Sequence, residues 1–309
     1  MSPSRSRARS RYRIAVALLT LAGVGLAVVL VSCPKAKPAE TPSAARSPRI
    51  QPAIEPAGEP PSAEGEPRTG LERAPAAEPV RPAERGRLAL VIDDAGYDLA
   101  ALQPFLDLPM PLAVAVLPNL PNSAETARRV RGAGKELLLH LPMEPEGGED
   151  PGPGALLTGQ PAEELERLLD AALASVPGAI GVNNHMGSKA TADRAFMAGL
   201  LAALGRRGLF FVDSRTTSLT VAGTEAERLG VPYLARKVFL DAVDGGIERS
   251  LEAAVDAAAR AGSAVAIGHV QTDGLAAILR RAADGMERSG VRPSTLSALT
   301  DGRGGRTAE

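Results

Sequence analysis

Seven short apolar runs alternate with helical patterns between residues 87 and 290, and this alternation restricts the fold more than any other feature of the sequence. Strand-like runs separated by helices are typical of parallel β/α architectures. Seven strands with intervening helices favour a barrel over an open sheet, although periodicity alone does not separate the two. The runs are RLALVI (87–92), LAVAVL (112–117), ELLLH (136–140), AIGVN (179–183), GLFFV (208–212), VPYLA (231–235) and SAVAIG (263–268).

The segments between the runs have helical character, and most of them stop at a glycine, as helix C-termini often do. A long loop rich in Gly and Pro, residues 143–160, follows the third run and is expected to form a wall of a binding site. The helical segments are 123–134, 161–176, 191–208, 246–262 and 272–290.

Residues 1–33 are expected to export the protein and to hold it at the bacterial inner membrane. Five arginines lie between residues 5 and 13, and residues 14–32 carry no charge over a length that spans roughly a bilayer core. Arginines ahead of an apolar segment favour a cytoplasmic N-terminus, so the rest of the chain would lie on the periplasmic or extracytoplasmic side. Because LVSC at Cys33 resembles a lipoprotein signal, an uncleaved anchor and a lipid on Cys33 both stay open, with a cleaved signal behind them.

The remaining chain divides into a tether, one domain and a tail. Residues 34–86 are rich in Pro, Ala, Glu and Arg and predict a disordered tether, because they cannot bury enough apolar surface to offset ordering. The domain spans 87–300, and 301–309 predicts a disordered tail. The formal net charge of the chain is −1 and the domain has no basic stripe, which argues against a nucleic-acid partner. The single cysteine excludes an internal disulfide.

Unusual polar residues occupy the ends of the predicted strands, where chemistry collects in parallel β/α folds. The adjacent carboxylates of Asp93 and Asp94 cost free energy unless a metal ion or a proton-transfer task compensates for their repulsion. The chain has three histidines, and all of them occupy strand ends. Imidazoles and carboxylates at one rim predict a metal site with proton-transfer groups around it. The strand-end residues are Asp93, Asp94, His140, Asn183, Asn184, His185, Asp213, Ser214, Arg215 and His269.

Several of these residues also allow a purely structural interpretation. Asp213 and Arg215 could form only a salt bridge, and Asn183 and Asn184 could simply hydrogen-bond loop backbone. Glu144, in the loop after the third run, could be a solvated charge or a metal ligand.

A series of motifs covers nearly all of residues 87–270 in order: VIDDAGY, AVLPNLPNSAETA, GKELLLHLPMEP, GPGALLTG, GVNNHMGSKAT, RGLFFVDSRTT, LGVPYLARKVFLD and GSAVAIGH. With these motifs the domain resembles the divergent polysaccharide deacetylase family, exported bacterial proteins related to the metal-dependent carbohydrate esterases. The resemblance implies an irregular (β/α) barrel of about seven parallel strands, of the glycoside hydrolase and deacetylase type.

The resemblance also implies a metal site. In the better-understood deacetylases the first aspartate of the opening pair acts as base and the second binds the metal, which implies these roles for Asp93 and Asp94. Those relatives take two further ligands from a His-x-x-x-His motif, which reads HLPME here. His140 fits the first position and Glu144 stands in the second, so His185 is the preferred third ligand. A divalent ion, with zinc preferred, would keep one position open for water.

One further role follows from the same likeness, and the others follow from position in the sequence. His269 occupies the place of the histidine that those relatives use as general acid. Asp213 joins the predicted catalytic residues, and Asn184, Arg215 and Tyr97 are the predicted substrate-binding residues. The chain has no Trp, so Tyr97 is the aromatic residue expected close to the site.

The leading hypothesis is a membrane-tethered, metal-dependent deacetylase or esterase that acts on an envelope polysaccharide. One alternative is an inactive barrel that binds glycan or an envelope protein partner. Another is a glycoside hydrolase that uses Asp93 and Asp213 as its pair of carboxylates, which would cleave chains without releasing acetate.

Overall fold

The structure, a computed structural model, describes residues 84–241 and 245–301 of the 309-residue chain. The predicted membrane segment, Cys33 and nearly all of the predicted tether lie outside the described residues, and so does the predicted tail beyond Asp301. Among the residues that are described, no helix is long and apolar enough to cross a membrane. Export, anchoring and the tether therefore stay predictions.

Eight parallel strands form one sheet. They are β1 (Gly86–Ala95), β2 (Ala113–Val116), β3 (Glu136–Met143), β4 (Gly181–Met186), β5 (Phe210–Asp213), β6 (Tyr233–Phe239), β7 (Ser263–His269) and β8 (Val291–Ser294). Strands β1 to β7 close into a ring, because β1 pairs with β7 on one side and with β2 on the other. The ten-residue β1 pairs with β2 along its C-terminal half and with β8 along its N-terminal half. The predicted seven-stranded (β/α) barrel is confirmed.

Helices follow the strands along the chain. They are α1 (Leu99–Leu106), α2 (Ser123–Gly132), α3 (Ala162–Ser175), α4 (Arg194–Arg206), α5 (Ala222–Leu229), α6 (Gly246–Ala261), α7 (Leu275–Arg288) and α8 (Leu296–Asp301), with a single 3₁₀ turn at Ala190–Ala192. The sequence patterns predicted α2, α3, α4, α6 and α7.

Four elements escaped the sequence patterns. Helices α1 and α5 have eight residues each, and α8 has six, so their apolar periodicity extends over two turns at most. Strand β8 reads VRPS. Because it contains a charged residue followed by a proline, it does not stand out as an apolar run.

Successive residues of the strands alternate between two apolar layers, as the period of a strand requires. One layer fills the barrel interior, and the other packs against the surrounding helices. Leu88, Leu90 and Ile92 of β1 belong to the outer layer. The interior layer includes Ala89 and Val91 of β1, Ala113 and Ala115 of β2, Leu138 of β3, Val212 of β5, and Val265 and Ile267 of β7.

Helix α8 closes the amino-terminal end of the barrel. Its Leu296 and Leu299 join the interior cluster. The carboxylate of Glu136, the first residue of β3, accepts hydrogen bonds from the backbone N–H groups of Leu296 (2.6 Å) and Ser297 (3.1 Å). Arg87, near the start of β1, donates to a backbone carbonyl of α8 (3.2 Å). This arrangement satisfies the first N–H groups of a short helix, which have no partners within the helix.

Candidate metal centre

Alternation along the strands decides which residues reach the barrel axis at its carboxyl end. In β1 the inward positions are 89, 91 and 93, so the row ends in Asp93. The inward row of β7 ends in the same way at His269, and the inward row of β3 carries His140 three residues before that strand ends at Met143. In β4 position 182 faces the outer layer, so Asn183 and His185 face inward. Four strands, β7 and β1 on one side of β2 and β3 and β4 on the other, thus direct polar side chains to one place.

Asp94 reaches this place by a local change of the backbone. It lies one position beyond the inward row of β1, where plain alternation would turn it away from the axis. The pairing of β1 with β2 shifts between Ile92 and Ala95, and Asp94 itself has a left-handed backbone with φ 62°. Aspartate tolerates this conformation better than most residues. The irregularity allows Asp93 and Asp94, although adjacent, both to reach the site.

Three potential metal ligands form a nearly equilateral triangle. Oδ1 of Asp94 lies 3.2 Å from Nε2 of His140 and 3.1 Å from Nδ1 of His185. The two ring nitrogens lie 3.0 Å apart, and the imidazole rings meet edge to face. Atoms bound to one ion at about 2.1 Å lie roughly 3.0–3.4 Å from one another, so the triangle has the size of one face of a coordination shell. These three residues could hold a metal ion.

The hydrogen bonding of the triangle gives an independent test of this fit. Oδ1 of Asp94 is buried and has no hydrogen-bond partner among the described residues. A buried carboxylate oxygen without a donor is costly unless it has a cation. The donor set of one carboxylate and two imidazoles suits zinc and similar divalent ions. The residues present therefore fit a divalent metal.

Charges in the centre influence one another strongly. Burial alone would raise the pKa of Asp94, but the neighbouring His140 and His185 bring it well below its usual range. Burial would lower the pKa of His140, but the carboxylates of Asp93 and Asp94 outweigh it and raise that pKa. Burial raises the pKa of Asp93, which is 2% exposed and whose Oδ2 lies 3.8 Å from Nε2 of His140. The pKa values of the two adjacent aspartates are thus shifted in opposite directions, as expected for two carboxylates with different tasks.

Asn183 links the predicted base to a predicted ligand. Its Nδ2 donates to Oδ1 of Asp93 at 2.8 Å, and its Oδ1 lies 2.9 Å from Nδ1 of His140. Because the amide donates to Asp93, its oxygen must accept from His140, which places the proton on Nδ1 and leaves Nε2 for the triangle. The sequence analysis named Asn183 among the strand-end residues but assigned it no catalytic, substrate-binding or metal-binding role. Its position two residues before His185, on the same side of β4, is the signal that could have identified it.

His269 stands beside the centre with a carboxylate partner of its own. It is paired in register with Asp93 on the adjacent strand. Oδ2 of Asp241 lies 3.0 Å from Nδ1 of His269 and also accepts from the hydroxyl of Thr272 (2.6 Å). The hydrogen bond to Asp241 raises the pKa of His269. Burial alone would raise the pKa of Asp241, but these donors lower it to about 2.

A cavity of about 330 Å³ opens at His269. It is lined by Phe239, Asp241, His269, Gln271 and Thr272. Phe239 stacks against the imidazole of His269 with ring centroids 5.6 Å apart. The sequence analysis did not single out Asp241 or Phe239, although both lie at the end of the motif LGVPYLARKVFLD.

Asp213 and Arg215 do not join the triangle. Asp213 is fully buried, and its oxygens accept from the backbone N–H of Arg215 (2.7 Å), the hydroxyl of Thr220 (2.8 Å) and the hydroxyl of Tyr233 (3.0 Å). Arg215 is exposed and has a left-handed backbone with φ 48°. Their assignment to catalysis and substrate binding stays a prediction.

Asn184 and Tyr97, both predicted to bind substrate, have very different environments. Asn184 is buried, donates to the backbone carbonyl of Met186 (2.7 Å) and accepts from the backbone N–H of Ser214 (2.8 Å). These contacts match the alternative that it bonds loop backbone. Tyr97 lies two residues after the end of β1 with 64% of its surface exposed.

Glu144 lies outside the triangle. Its carboxylate accepts from Nζ of Lys189 (2.6 Å) and from the backbone N–H of Thr158 (2.7 Å). Lys189 and Thr158 lower the pKa of Glu144 to about 2. The carboxylate therefore joins the long loop after β3 to the segment after β4, and His185 supplies the third atom of the triangle.

Comparison with known proteins agrees with this architecture. A family model described as divergent polysaccharide deacetylase matches residues 90–300. The chain belongs to this family. The resemblance in the sequence is thereby confirmed.

Relatives in this family extend the likeness without naming an activity. The chain is 40% identical over 190 residues to the uncharacterized protein YibQ of Escherichia coli K12. The aligned residues make up 61% of this chain and 60% of that protein. It is 37% identical over 196 residues to an uncharacterized protein of Haemophilus influenzae, covering 63% and 70%. The crystal structure of the uncharacterized protein ATU2773 from Agrobacterium tumefaciens C58 is 27% identical, with a TM-score of 0.65 over 72% of this chain and 92% of that one.

Proposed function

We propose that this divergent polysaccharide deacetylase is a metal-dependent hydrolase that removes acetyl groups from a polysaccharide. The observation that carries the proposal is the triangle of Asp94, His140 and His185, whose ligand atoms lie 3.0–3.2 Å apart and include Oδ1 of Asp94, which has no hydrogen-bond partner among the described residues. We propose zinc as the resident ion. Bound there, it would supply Lewis-acid polarisation of a carbonyl oxygen and acidify water.

Asp93 is proposed to act as the general base. Its pKa is raised by burial, which makes its carboxylate a better proton acceptor than an exposed aspartate. Asn183 donates to its Oδ1, so Oδ2 is the oxygen left to accept a proton. Oδ2 is also the oxygen that faces His140 of the triangle.

His269 is proposed to act as the general acid. Its raised pKa keeps the imidazole protonated at a higher pH than usual. Because Nδ1 faces Asp241, Nε2 would carry the proton that a leaving amine or alcohol needs. The cavity beside His269 is the proposed place of that leaving group.

We further propose that the substrate belongs to the cell envelope and that the N-terminal segment holds the domain on the extracytoplasmic side of the inner membrane. This proposal rests on the arginines before residue 14 and on the uncharged residues 14–32. Fractionation of cells expressing the full chain, with protease added outside the inner membrane, tests it. Protection of the domain from that protease would contradict it.

Acetate release and metal content test the enzymatic proposal together. Full-length protein in detergent, loaded with zinc, is expected to hold about one ion per chain and to release acetate from acetylated glycan fragments, and His140→Ala should lose both properties. A wild-type protein that refuses zinc would overturn the metal-dependent hydrolase. Cleaved chains without acetate would favour a glycoside hydrolase. Glycan binding without turnover would favour an inactive barrel.

A further inference from the structure

Gln271 contacts Asp94 of the triangle, although the two residues are far apart in the sequence. It lies in the loop between β7 and α7, and its Nε2 donates to Oδ2 of Asp94 at 2.9 Å, across a separation of 177 residues. The two oxygens of Asp94 therefore differ, because Oδ2 accepts this hydrogen bond while Oδ1 accepts none among the described residues.

We propose that Gln271 is a positioning residue that holds Asp94 as a one-oxygen metal ligand. The inference rests on the metal site of the proposed function and adds how one of its ligands is kept in place. With Oδ2 engaged by the amide, the carboxylate cannot rotate freely and offers Oδ1 alone to an ion.

The loop that carries Gln271 is fixed on both sides of it. The backbone N–H of Val270 donates to the carbonyl of Asp93 (3.0 Å), and the N–H of Thr272 donates to the carbonyl of His269 (3.1 Å). The side chain of Thr272 is held in addition by Asp241. An exposed glutamine on a free loop would lose side-chain entropy to reach a carboxylate, but here the backbone is already ordered.

The chemistry of an amide suits this task. A neutral donor orients the carboxylate of Asp94 and leaves its negative charge available, whereas a lysine or arginine would compete with an ion for that charge. Carboxylates bind metals through one oxygen or through two, and occupying the second oxygen favours the first mode. One-oxygen binding leaves more of the coordination shell for water and substrate.

The same short segment also carries His269. Residues 269–272 include His269 and Thr272, which both bond Asp241, and Gln271, which bonds Asp94. Displacement of this segment would therefore change the orientation of the Asp94 carboxylate and the position of His269, the proposed general acid, together.

Cobalt binding by the full-length protein provides the test. Gln271→Met keeps an unbranched side chain of similar length and removes the donor. Gln103→Met is the matched control, because exposed Gln103 donates in the same way to Asp107 (2.8 Å) in and just after α1. We measure the affinity for Co²⁺ by competition with a chelator and the visible absorption of the bound ion, which reports the number and kind of ligands.

Gln271→Met is expected to bind Co²⁺ about tenfold more weakly and with an altered visible spectrum, because groups that orient metal ligands typically contribute about 10-fold to 100-fold in affinity. Gln103→Met should match the wild type in both properties. A Gln271→Met protein with wild-type affinity and spectrum would overturn the role of Gln271 and leave the metal site standing. A wild type that binds no Co²⁺ would overturn the metal site and this inference together.

Discussion

The two ends of the barrel satisfy their polar groups in different ways. At the amino-terminal end, the carboxylate of Glu136 accepts several hydrogen bonds from α8, and Leu296 and Leu299 fill the interior. At the carboxyl end, adjacent aspartates face two histidines, and Oδ1 of Asp94 has no donor among the described residues. The amino-terminal end is filled by apolar packing and the carboxyl end carries the proposed metal site, so substitutions at the two ends should affect stability and metal affinity to different degrees.

The two ends of the barrel also differ in backbone strain. Among the described residues, the non-glycine residues with left-handed backbones are Asp94, Asn119, Met186 and Arg215. Each lies at or just beyond the carboxyl end of a strand, namely β1, β2, β4 and β5. Such conformations cost free energy and concentrate at functional sites. The amino-terminal end has no such residue within the described part of the chain.

Asp94→Asn should have the largest effect. It keeps the shape of the side chain and removes the charge that an ion needs, so the affinity for Zn²⁺ should fall about 100-fold or more and acetate release should be lost. The metal-free protein should also unfold more easily, because the lowered pKa of Asp94 means that its negative charge is favoured in the folded state, but the loss of zinc affinity should be the larger effect. Calorimetric titration and urea unfolding measure the two quantities. A zinc affinity within about tenfold of the wild type would contradict the role of Asp94 as a ligand.

Leu299→Ala tests the opposite end. Leu299 is 2% exposed in the barrel interior, so its truncation should lower the free energy of unfolding by about 2–5 kcal/mol. Zinc affinity at a temperature where the variant is folded should stay within a factor of two. Leu219→Ala is the control, because Leu219 is 70% exposed in the loop after β5 and its truncation should cost less than about 0.5 kcal/mol.

Asp241→Asn sharpens the comparison. Asp241 and His269 form an ion pair at the carboxyl end of the barrel, and this pair should stabilise the fold over a limited pH range. The pKa of His269 is raised, so its contribution is complete below about pH 6.5 and is lost as the pH rises through the folded-state pKa. The pKa of Asp241 falls from 3.8 to about 2, so its contribution is present above 3.8 and is lost as the pH falls towards 2.

The difference in unfolding free energy between wild type and Asp241→Asn should therefore be largest, about 1 kcal/mol, between roughly pH 4 and pH 6.5. It should shrink on either side of that window. Urea unfolding from pH 3 to pH 9 measures it. Asp256→Asn is the control, because Asp256 forms only an exposed ion pair with Arg260 (3.8 Å). A difference that does not vary with pH would contradict the paired state of His269.

Glu136→Gln should have the smallest effect. The amide keeps one acceptor for the N-terminus of α8 and loses the charge, so unfolding should become easier by about 0.5–1 kcal/mol with unchanged metal binding. Thermal unfolding beside Glu252→Gln, an exposed surface glutamate, provides the comparison. A measurable loss of zinc affinity in Glu136→Gln would mean that the two ends are coupled.

Local sequence patterns predicted the strands of the barrel better than its short elements. The seven apolar runs all became strands, because buried parallel strands require continuous apolar residues. Helix α1, with Pro104 inside it and Asp98 capping it, and helix α8 offered too few turns for periodicity to be detected. Their positions follow from packing against the barrel, which the local pattern does not contain.

The sequence by itself determined that carboxylates and histidines lie towards the carboxyl ends of the strands of a parallel barrel, because the position and polarity of a strand are local properties. The tertiary structure decided which of two neighbours faces the axis, Asn183 inward and Asn184 outward, and turned Asp94 inward through an irregular end of β1. It also brought His185 rather than Glu144 to Asp94 and His140. These choices depend on strand register and on side-chain direction across strands far apart in the chain, which no local pattern specifies.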